Sequence, residues 1–193
     1  MSLVYNTRMT SEIITRPAEL GDAVAIADLL IERKYDATPH MDVHNEERLA
    51  WWREHGQAHN IVEIQRTIDD PAKYFLRVAA IGSVVVGYLK ATSCAESPHV
   101  AGGPFTYAQG LMVAKNHEAQ GVGGRLAIDF CRWAAPLEQD IYIEVTTGND
   151  HARMIYESHG CEYITSVPAT QDAPPLDILV LPYQQMVELS QNM

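Results

Sequence analysis

Two spacings of apolar residues take turns along this chain, one suited to strands and one to helices. Ile13-Ile14-Thr15-Arg16 is a short run rich in β-branched residues, a strand that Pro17 ends. Gly21-Asp22 opens a helix: Ile26, Leu29 and Leu30 fall at i, i+3 and i+4, and Asp22 is placed as its N-cap. From Asn45 to Ile68 the pattern is helical again through Leu49, Trp52, Ile61, Ile64 and Ile68. A break is expected at Gly56 and a stop at Asp69-Asp70-Pro71. Strands are predicted over Lys73 to Ala80 and Ser83 to Thr92, joined by a hairpin turn at Ile81-Gly82. A loop rich in Gly and Pro, Ser97 to Pro104, leads to a strand from Tyr107 to Val113. A helix follows Gln120-Gly121-Val122-Gly123-Gly124, with Leu126, Phe130, Trp133 and Ala134 on one face and Pro136 at its end. Ile141 to Val145 is the fifth strand. Asn149 to His159 is a short helix with Gly160 placed for a left-handed cap. Glu162 to Val167 and Leu176 to Leu181 close the series, with prolines bracketing the loop between them.

The resulting order, β-α-α-β-β-β-α-β-α-β-β, describes one α/β domain with a mixed sheet. The early strands follow one another without helices and should pair antiparallel. The strand-helix-strand from Tyr107 to Val145 is a crossover unit, so its two strands should be parallel. Composition agrees with a single domain: 193 residues, 47% apolar and 20% charged, is ordinary globular usage. A chain of this length buries enough surface to need no staples.

Fourteen Lys and Arg stand against 25 Asp and Glu, a formal charge of −11. Bulk electrostatics therefore do not favour a nucleic-acid partner, and mildly favour cationic ligands such as amines. Cys94, Cys131 and Cys161 are sparse and form no CxxC pair, which reads as reduced thiols in a cytoplasmic protein. The longest nearly apolar stretch, Val78 to Leu89, is far short of the roughly 20 residues of a membrane span, so no membrane partner is expected. Residues 1–11 read as a flexible leader, with Met1-Ser2-Leu3 resembling an appended start and Met9 an alternative one. The folded domain is expected over 12–193.

Two motifs carry chemistry. The first is Leu111-Met112-Val113, then a polar stretch, then Gln120-Gly121-Val122-Gly123-Gly124-Arg125-Leu126. Glycines let backbone approach a ligand and adopt positive φ. The following helix start offers unsatisfied N–H groups and the positive end of its dipole. Together they make a cradle for phosphate or pyrophosphate, with Arg125 beside it; a plain tight turn is the other reading. No Gly-Lys-Ser/Thr follows, which excludes a Walker A loop, and the third glycine of a dinucleotide fingerprint is missing. The second motif runs from Asn149 to Cys161. Asn149 is placed to cap a helix, Ala152 and Tyr156 share one face, and Gly160 ends it.

In this order the two motifs resemble the Gcn5-related N-acetyltransferase (GNAT) family. Its phosphate motif is Q/R-x-x-G-x-G/A after the fourth strand, and its later motif is approximately N-x-x-A-x-x-x-Y-x-x-x-G-F. This chain has Gly121 and Gly123, then Asn149, Ala152, Tyr156 and Gly160. Arg16-Pro17-Ala18 and Asp22 also look like the family's first strand and helix, so the resemblance covers roughly 12 to 182. Glu118 departs from the usual Gln or Arg, and Cys161 from the usual Phe.

The resemblance implies a GNAT-like fold with a splayed central parallel strand pair that binds acetyl-CoA, with no metal. It implies that Leu111, Met112 and Val113 hold the pantetheine and thioester carbonyl. The amides of Ala119, Gln120, Gly121, Val122, Gly123 and Gly124, with Arg125, would hold the pyrophosphate, and Asn149 the CoA arm. Tyr156 would protonate the leaving thiolate, and a phenol of pKa about 10 carries its proton at neutral pH. The acceptor amine, also of pKa near 10, must lose a proton. Glu144, five residues before Asn149, is the candidate base, with Glu96 a weaker rival; a Glu144 that faces solvent or pairs structurally is the other reading. The expected reaction is acetyl transfer to a primary amine of a small molecule by direct attack in a ternary complex. A protein N-terminus or lysine is the rival acceptor, a non-catalytic acyl-CoA-binding domain the rival role, and a homodimer is left open.

His40 and His44, and His55 and His59, are i, i+4 pairs, but without an HExxH motif they favour solvated or substrate-edge histidines over metal. Trp51-Trp52 reads equally as helix filling or as a lid over the acceptor site, a site that the family's first two helices often line.

Overall fold

Seven strands make one sheet in the computed structural model, which describes residues 12–37, 42–170 and 174–192. They are β1 (Ile13–Pro17), β2 (Tyr74–Ile81), β3 (Val84–Ala95), β4 (Phe105–Val113), β5 (Ile141–Thr146), β6 (Glu162–Val167) and β7 (Leu176–Leu181). Their order across the sheet is β1-β2-β3-β4-β5-β7-β6. Each neighbouring pair is antiparallel except β4 and β5, which are parallel, as the crossover pattern requires. The helices are α1 (Ala23–Ala37), α2 (Asp42–Asp69), α3 (Val122–Ala134), α4 (Asp150–Ser158) and α5 (Tyr183–Asn192). The expected α/β mixed-sheet domain is present. The expectations for residues 1–11, Pro39 and His40, and for the side chains of His44 and Leu49, lie outside the described residues.

The sheet is covered on both faces. On one, α3 and α5 bury Leu126, Phe130 and Met186 against Phe75, Val86, Leu89, Ile143 and Leu179. On the other, α1 and α2 bury Ile26, Leu29 and Ile64 against Leu76, Val78 and Tyr88. Beside that second cluster, Phe105, Tyr142, Ile178 and Val180 form a smaller one over the β5–β7 end. α5 has no counterpart in the strand and helix order read from the sequence. Its Met186, fully buried against α3, gives it a place in the main core.

Three local expectations are corrected. α2 runs unbroken for 28 residues through Gly56. Gly56 is buried, and a Cβ there would stand 2.9 Å from Trp52 Cε3 and 3.1 Å from Ala27 Cβ. The glycine serves the close approach of α1 to α2, and burial of the helix outweighs its propensity cost of about 1 kcal/mol. Asp22 does not cap α1 from in front. It ends a short 3-10 turn, reaches back to the Glu19 N–H at 2.8 Å, and takes two bonds from Arg16 at 2.6 and 2.9 Å. The hairpin turn is Gly82-Ser83, one residue later than expected, with Ile81 opposite Val84.

β4 is joined to β5 at three positions only, Thr106 to Ile141, Tyr107 to Tyr142 and Ala108 to Ile143. Beyond them the strands part, while each keeps its antiparallel partner on its other side, β4 to Val113 and β5 to Thr146. The register of β3 against β4 slips at this point: Ala91 faces Ala108 and Lys90 faces Gly110, which leaves Gln109 as an extra residue. Such a bulge adds twist and bends its strand away from a neighbour. Past the splay, Asp177 of β7 ties the far half together, accepting from Ser166 at 2.7 Å, Thr147 at 3.0 Å and Arg153 at 3.3 Å.

Two stability measurements follow. Gly56→Leu overpacks the α1–α2 contact and is expected to cost roughly 1–3 kcal/mol, a fall in Tm of about 2–4 °C per kcal/mol for a chain of this size; an unchanged midpoint would sink this account of the glycine. For pH, burial alone would raise the Asp22 and Asp177 carboxyls, but hydrogen bonds and charge from Arg16 in one case, and from Ser166, Thr147 and Arg153 in the other, hold both below the usual 3.8. Their stabilisation is therefore complete above pH about 4 and lost as pH falls through the lowered values. Urea midpoints should drop in that acid window, and Asp177→Asn should flatten the drop.

Candidate active site

The parted strands leave an edge. Peptide groups that β4 turns toward β5 beyond Ala108 have no strand opposite them, and Leu111, Met112 and Val113 lie on this stretch. Unpaired backbone polar groups need a partner, so this edge is suited to a ligand that carries its own amides.

The loop from β4 to α3 arrives at the same place. It turns over Lys115–His117 and then reaches two residues of positive φ, Ala119 at 57° and Gly121 at 82°. Gly121 is the N-cap of α3, and Arg125 N–H returns to its carbonyl at 3.1 Å. Among the described residues no acceptor engages the amides of Ala119, Gln120, Gly121, Val122, Gly123 or Gly124. Alternating left-handed residues with free N–H groups at a helix start form an anion-binding nest. Ala119 in the left-handed region is strained, since a side chain there meets the backbone. Val122 is buried and anchors the turn, Gly123 is half-buried beside Leu111 and Val113, and Gly124 is exposed. The Gln120 side chain folds back to the Asn116 carbonyl at 2.9 Å. The Arg125 side chain donates to the Ile13 carbonyl of β1 at 2.9 Å, and its backbone N–H is held by the Gly121 carbonyl.

α4 supplies the second motif. Asn149 caps it, Oδ1 accepting the Ala152 N–H at 3.3 Å. Gly160, at φ 89°, ends it with both bonds of a Schellman motif, Cys161 N–H to the Tyr156 carbonyl and Gly160 N–H to the Glu157 carbonyl. Ala152 and Tyr156 share the face packed on the main core, as their spacing implies. Burial pushes the Tyr156 phenol up to about 12, with the Cys161 thiol beside it adding to the effect. Cys161 fills the buried position where the motif has Phe, and burial raises its thiol to about 12 as well.

Glu144 stands on β5 with Tyr142, on the face away from α3. Its two oxygens accept from the Tyr107 hydroxyl at 2.7 Å and the Tyr142 hydroxyl at 2.9 Å. Burial, then the Glu144 carboxylate, raises the Tyr107 phenol; burial takes Tyr142 to about 12. Both phenols hold their protons at neutral pH and fix the carboxylate. Tyr107 stands two residues before the bulge at Gln109. Glu96, the rival acid, is an exposed loop residue with no recorded part in this cluster.

On this same face a cavity of about 250 Å³ lies between α1, α2 and the bulge, lined among others by Ile26, Trp52, His59, Glu63, Lys90 and Gln109. Glu63 is buried there with both oxygens engaged: Arg66 donates to Oε1 at 2.6 Å and the Lys90 ammonium pairs with Oε2. Burial alone would raise the carboxyl. The Lys90 hydrogen bond and the charges of Lys90 and Arg66 outweigh it, holding it below its usual value. Burial lowers His59, against the pull of Glu63. Asn60, also buried, donates to the Ala23 carbonyl at 3.1 Å and locks α2 to α1.

Sequence reasoning missed this cavity, although one signal was present. Trp52, His59, Asn60 and Glu63 fall on the face of α2 that also carries Gly56 and buried Ile64, so polar residues interrupt an apolar stripe. The expected choice for Trp51 and Trp52 divides between them: Trp52 lines the cavity, while Trp51 is exposed and stacks on His55 at 5.2 Å. Among the described residues no group of three or more His, Cys, Asp or Glu is placed to hold a metal, and no helix is long and apolar enough to cross a membrane.

The fold has many solved counterparts. Paia N-acetyltransferase from Thermoplasma acidophilum, in complex with coenzyme A, matches with a TM-score of 0.66 at 13% identity, over 86% of this chain and 98% of that one. The putative acetyltransferase yncA from Salmonella typhimurium, with acetyl-CoA, matches with 0.59 at 16%, over 90% and 95%. AAC(6')-Iy, in complex with the bisubstrate analog CoA-S-monomethyl-acetylneamine, matches with 0.59 at 12%, over 83% and 98%. No curated protein matches the sequence. The model of the acetyltransferase (GNAT) family matches residues 37–161, which includes the splayed strands, the nest and α4. With the fold, the two motifs and this match in agreement, the chain belongs to the GNAT acetyltransferase family.

Proposed function

We propose that this chain transfers the acetyl group of acetyl-CoA to a primary amine of a small molecule by direct attack in a ternary complex. One observation carries the reading: a three-rung splay between β4 and β5 opens onto a nest of free amides at the start of α3. An edge of unpaired peptide groups suits the amides of a pantetheine, and the nest suits a pyrophosphate. Coenzyme A in the Thermoplasma protein and acetyl-CoA in the Salmonella protein support the choice of ligand.

Roles follow from position. Leu111, Met112 and Val113 present the open edge. Ala119 to Gly124 present the N–H groups, and Asn149 stands at the start of α4 across the gap. The amine nitrogen forms its bond to the thioester carbonyl carbon as the carbon–sulfur bond breaks. Tyr156, protonated at neutral pH, gives its proton to the departing thiolate. Glu144, oriented by Tyr107 and Tyr142, takes the proton that the amine releases. The cavity by the bulge holds the acceptor on the face where Glu144 lies.

Acetyl-CoA at about 100 times its Kd adds about 2.7 kcal/mol to stability, so the melting midpoint should rise by about 5–10 °C, with no rise from NAD or ATP. Absence of any rise would remove the cofactor reading. Tyr156→Phe should lower turnover by about 10²–10⁴-fold and keep the acetyl-CoA shift. Retained turnover would reassign the acid; a shift with no turnover in the unaltered chain across a broad amine screen would favour a binding role.

A further inference from the structure

The cavity beside the bulge is small, and among its described lining residues its charges cancel. Its volume is about 250 Å³. Ile26, Leu30, Leu76 and Met112 give it apolar walls. At its α2 side the rings of Trp52 and His59 meet edge to face, 5.2 Å apart at 83°. Such a pair offers a flat apolar surface beside a ring edge, which suits another aromatic ring.

The charges decide the rest. Glu63 is the one carboxylate among the described lining residues, and each of its oxygens already faces a cation, Arg66 on one side and Lys90 on the other. A second ammonium on an acceptor would find no unpaired counter-charge here. It would have to compete with Lys90 for Glu63, an exchange of one ammonium for another that gains no new ion pair. An acceptor carboxylate meets the same obstacle, because Lys90 is held by Glu63. Groups that bind well here are neutral and apolar.

Resting on the acetyl-transfer reading above, we infer that the acceptor is a compact arylalkyl monoamine, its ring against Trp52 and His59 and its single amino group toward Gln109 and Gly110 at the bulge. The Glu63–Lys90 pair then acts as a filter against polyamines and aminoglycosides. The bonds made and broken are those of the parent reaction: nitrogen to carbonyl carbon forms, carbon to sulfur breaks, one proton goes to Glu144 and one leaves Tyr156.

The test is a coenzyme A release assay on the full chain with acetyl-CoA and four acceptors: 2-phenylethylamine, spermidine, kanamycin and a peptide with a free N-terminus. Product mass confirms the acetylated species. The expected result is a kcat/KM for 2-phenylethylamine at least tenfold above each of the others. Trp52→Ala should raise KM for 2-phenylethylamine at least fivefold with KM for acetyl-CoA unchanged. Because that variant could simply fold poorly, Lys90→Gln supplies a gain. By freeing one oxygen of Glu63 it should raise the ratio of spermidine to 2-phenylethylamine activity at least fivefold, which a damaged protein cannot do. Preference for spermidine, kanamycin or the peptide overturns the inference, as does an unchanged ratio in Lys90→Gln. If acetyl-CoA still shifts the melt but 2-phenylethylamine is not acetylated, the acceptor class is wrong and the cofactor reading stands. If acetyl-CoA produces no shift, both fall.

Discussion

Three rungs of parallel pairing join β4 to β5, and the rest of the site depends on there being no more. Each strand is fully engaged on its other side, β4 by β3 and β5 by β7, so neither is free to swing back and close the gap. The bulge at Gln109 starts the divergence by setting two residues where the partner strand has one. What opens is an edge within the sheet, lined by backbone groups that lose about 1–3 kcal/mol each if buried without a partner. A ligand that brings amides of its own resolves that cost better than side chains alone.

The two motif helices meet the gap from different directions and for different reasons. α3 brings a dipole and a row of free N–H groups, made accessible by two left-handed residues in the turn before it. α4 brings Tyr156, held by the Asn149 cap at one end and the Gly160 motif at the other. Burial that raises the Tyr156 phenol also keeps it a proton donor over the physiological range. On the opposite face Glu144 is clamped by two phenols at the foot of the splay. The acid and base proposed above are thus held by separate elements, on opposite faces of the sheet.

Much of this was legible in the sequence. Glycine spacing, the Asn149 cap, the Ala152–Tyr156 face and the Gly160 stop are local, and local patterns survive folding. The antiparallel and parallel assignments followed from where helices fall between strands. What was not legible depends on contacts distant in the chain. Gly56 reads as a helix break until Ala27 of α1 is placed against it. Glu63 reads as one more surface acid of a helix, because Lys90, its partner, comes from β3. The bond from Arg125 to the Ile13 carbonyl could not be read either, because β1 lies 112 residues away. Glu144 could be picked out from its spacing to Asn149, but the Tyr107 clamp required the register of β4 on β5.

The splay also leaves the one sheet with a narrow waist. β1 to β4 form one plate and β5, β7 and β6 the other, hinged along a seam of three residue pairs. Anything that fills the gap and bonds to both edges acts as a strut across that hinge. Occupancy by the cosubstrate and the rigidity of the whole molecule are then a single mechanical property. A ligand held by both edges would therefore stabilise the whole molecule, because it adds bonds across its narrowest seam.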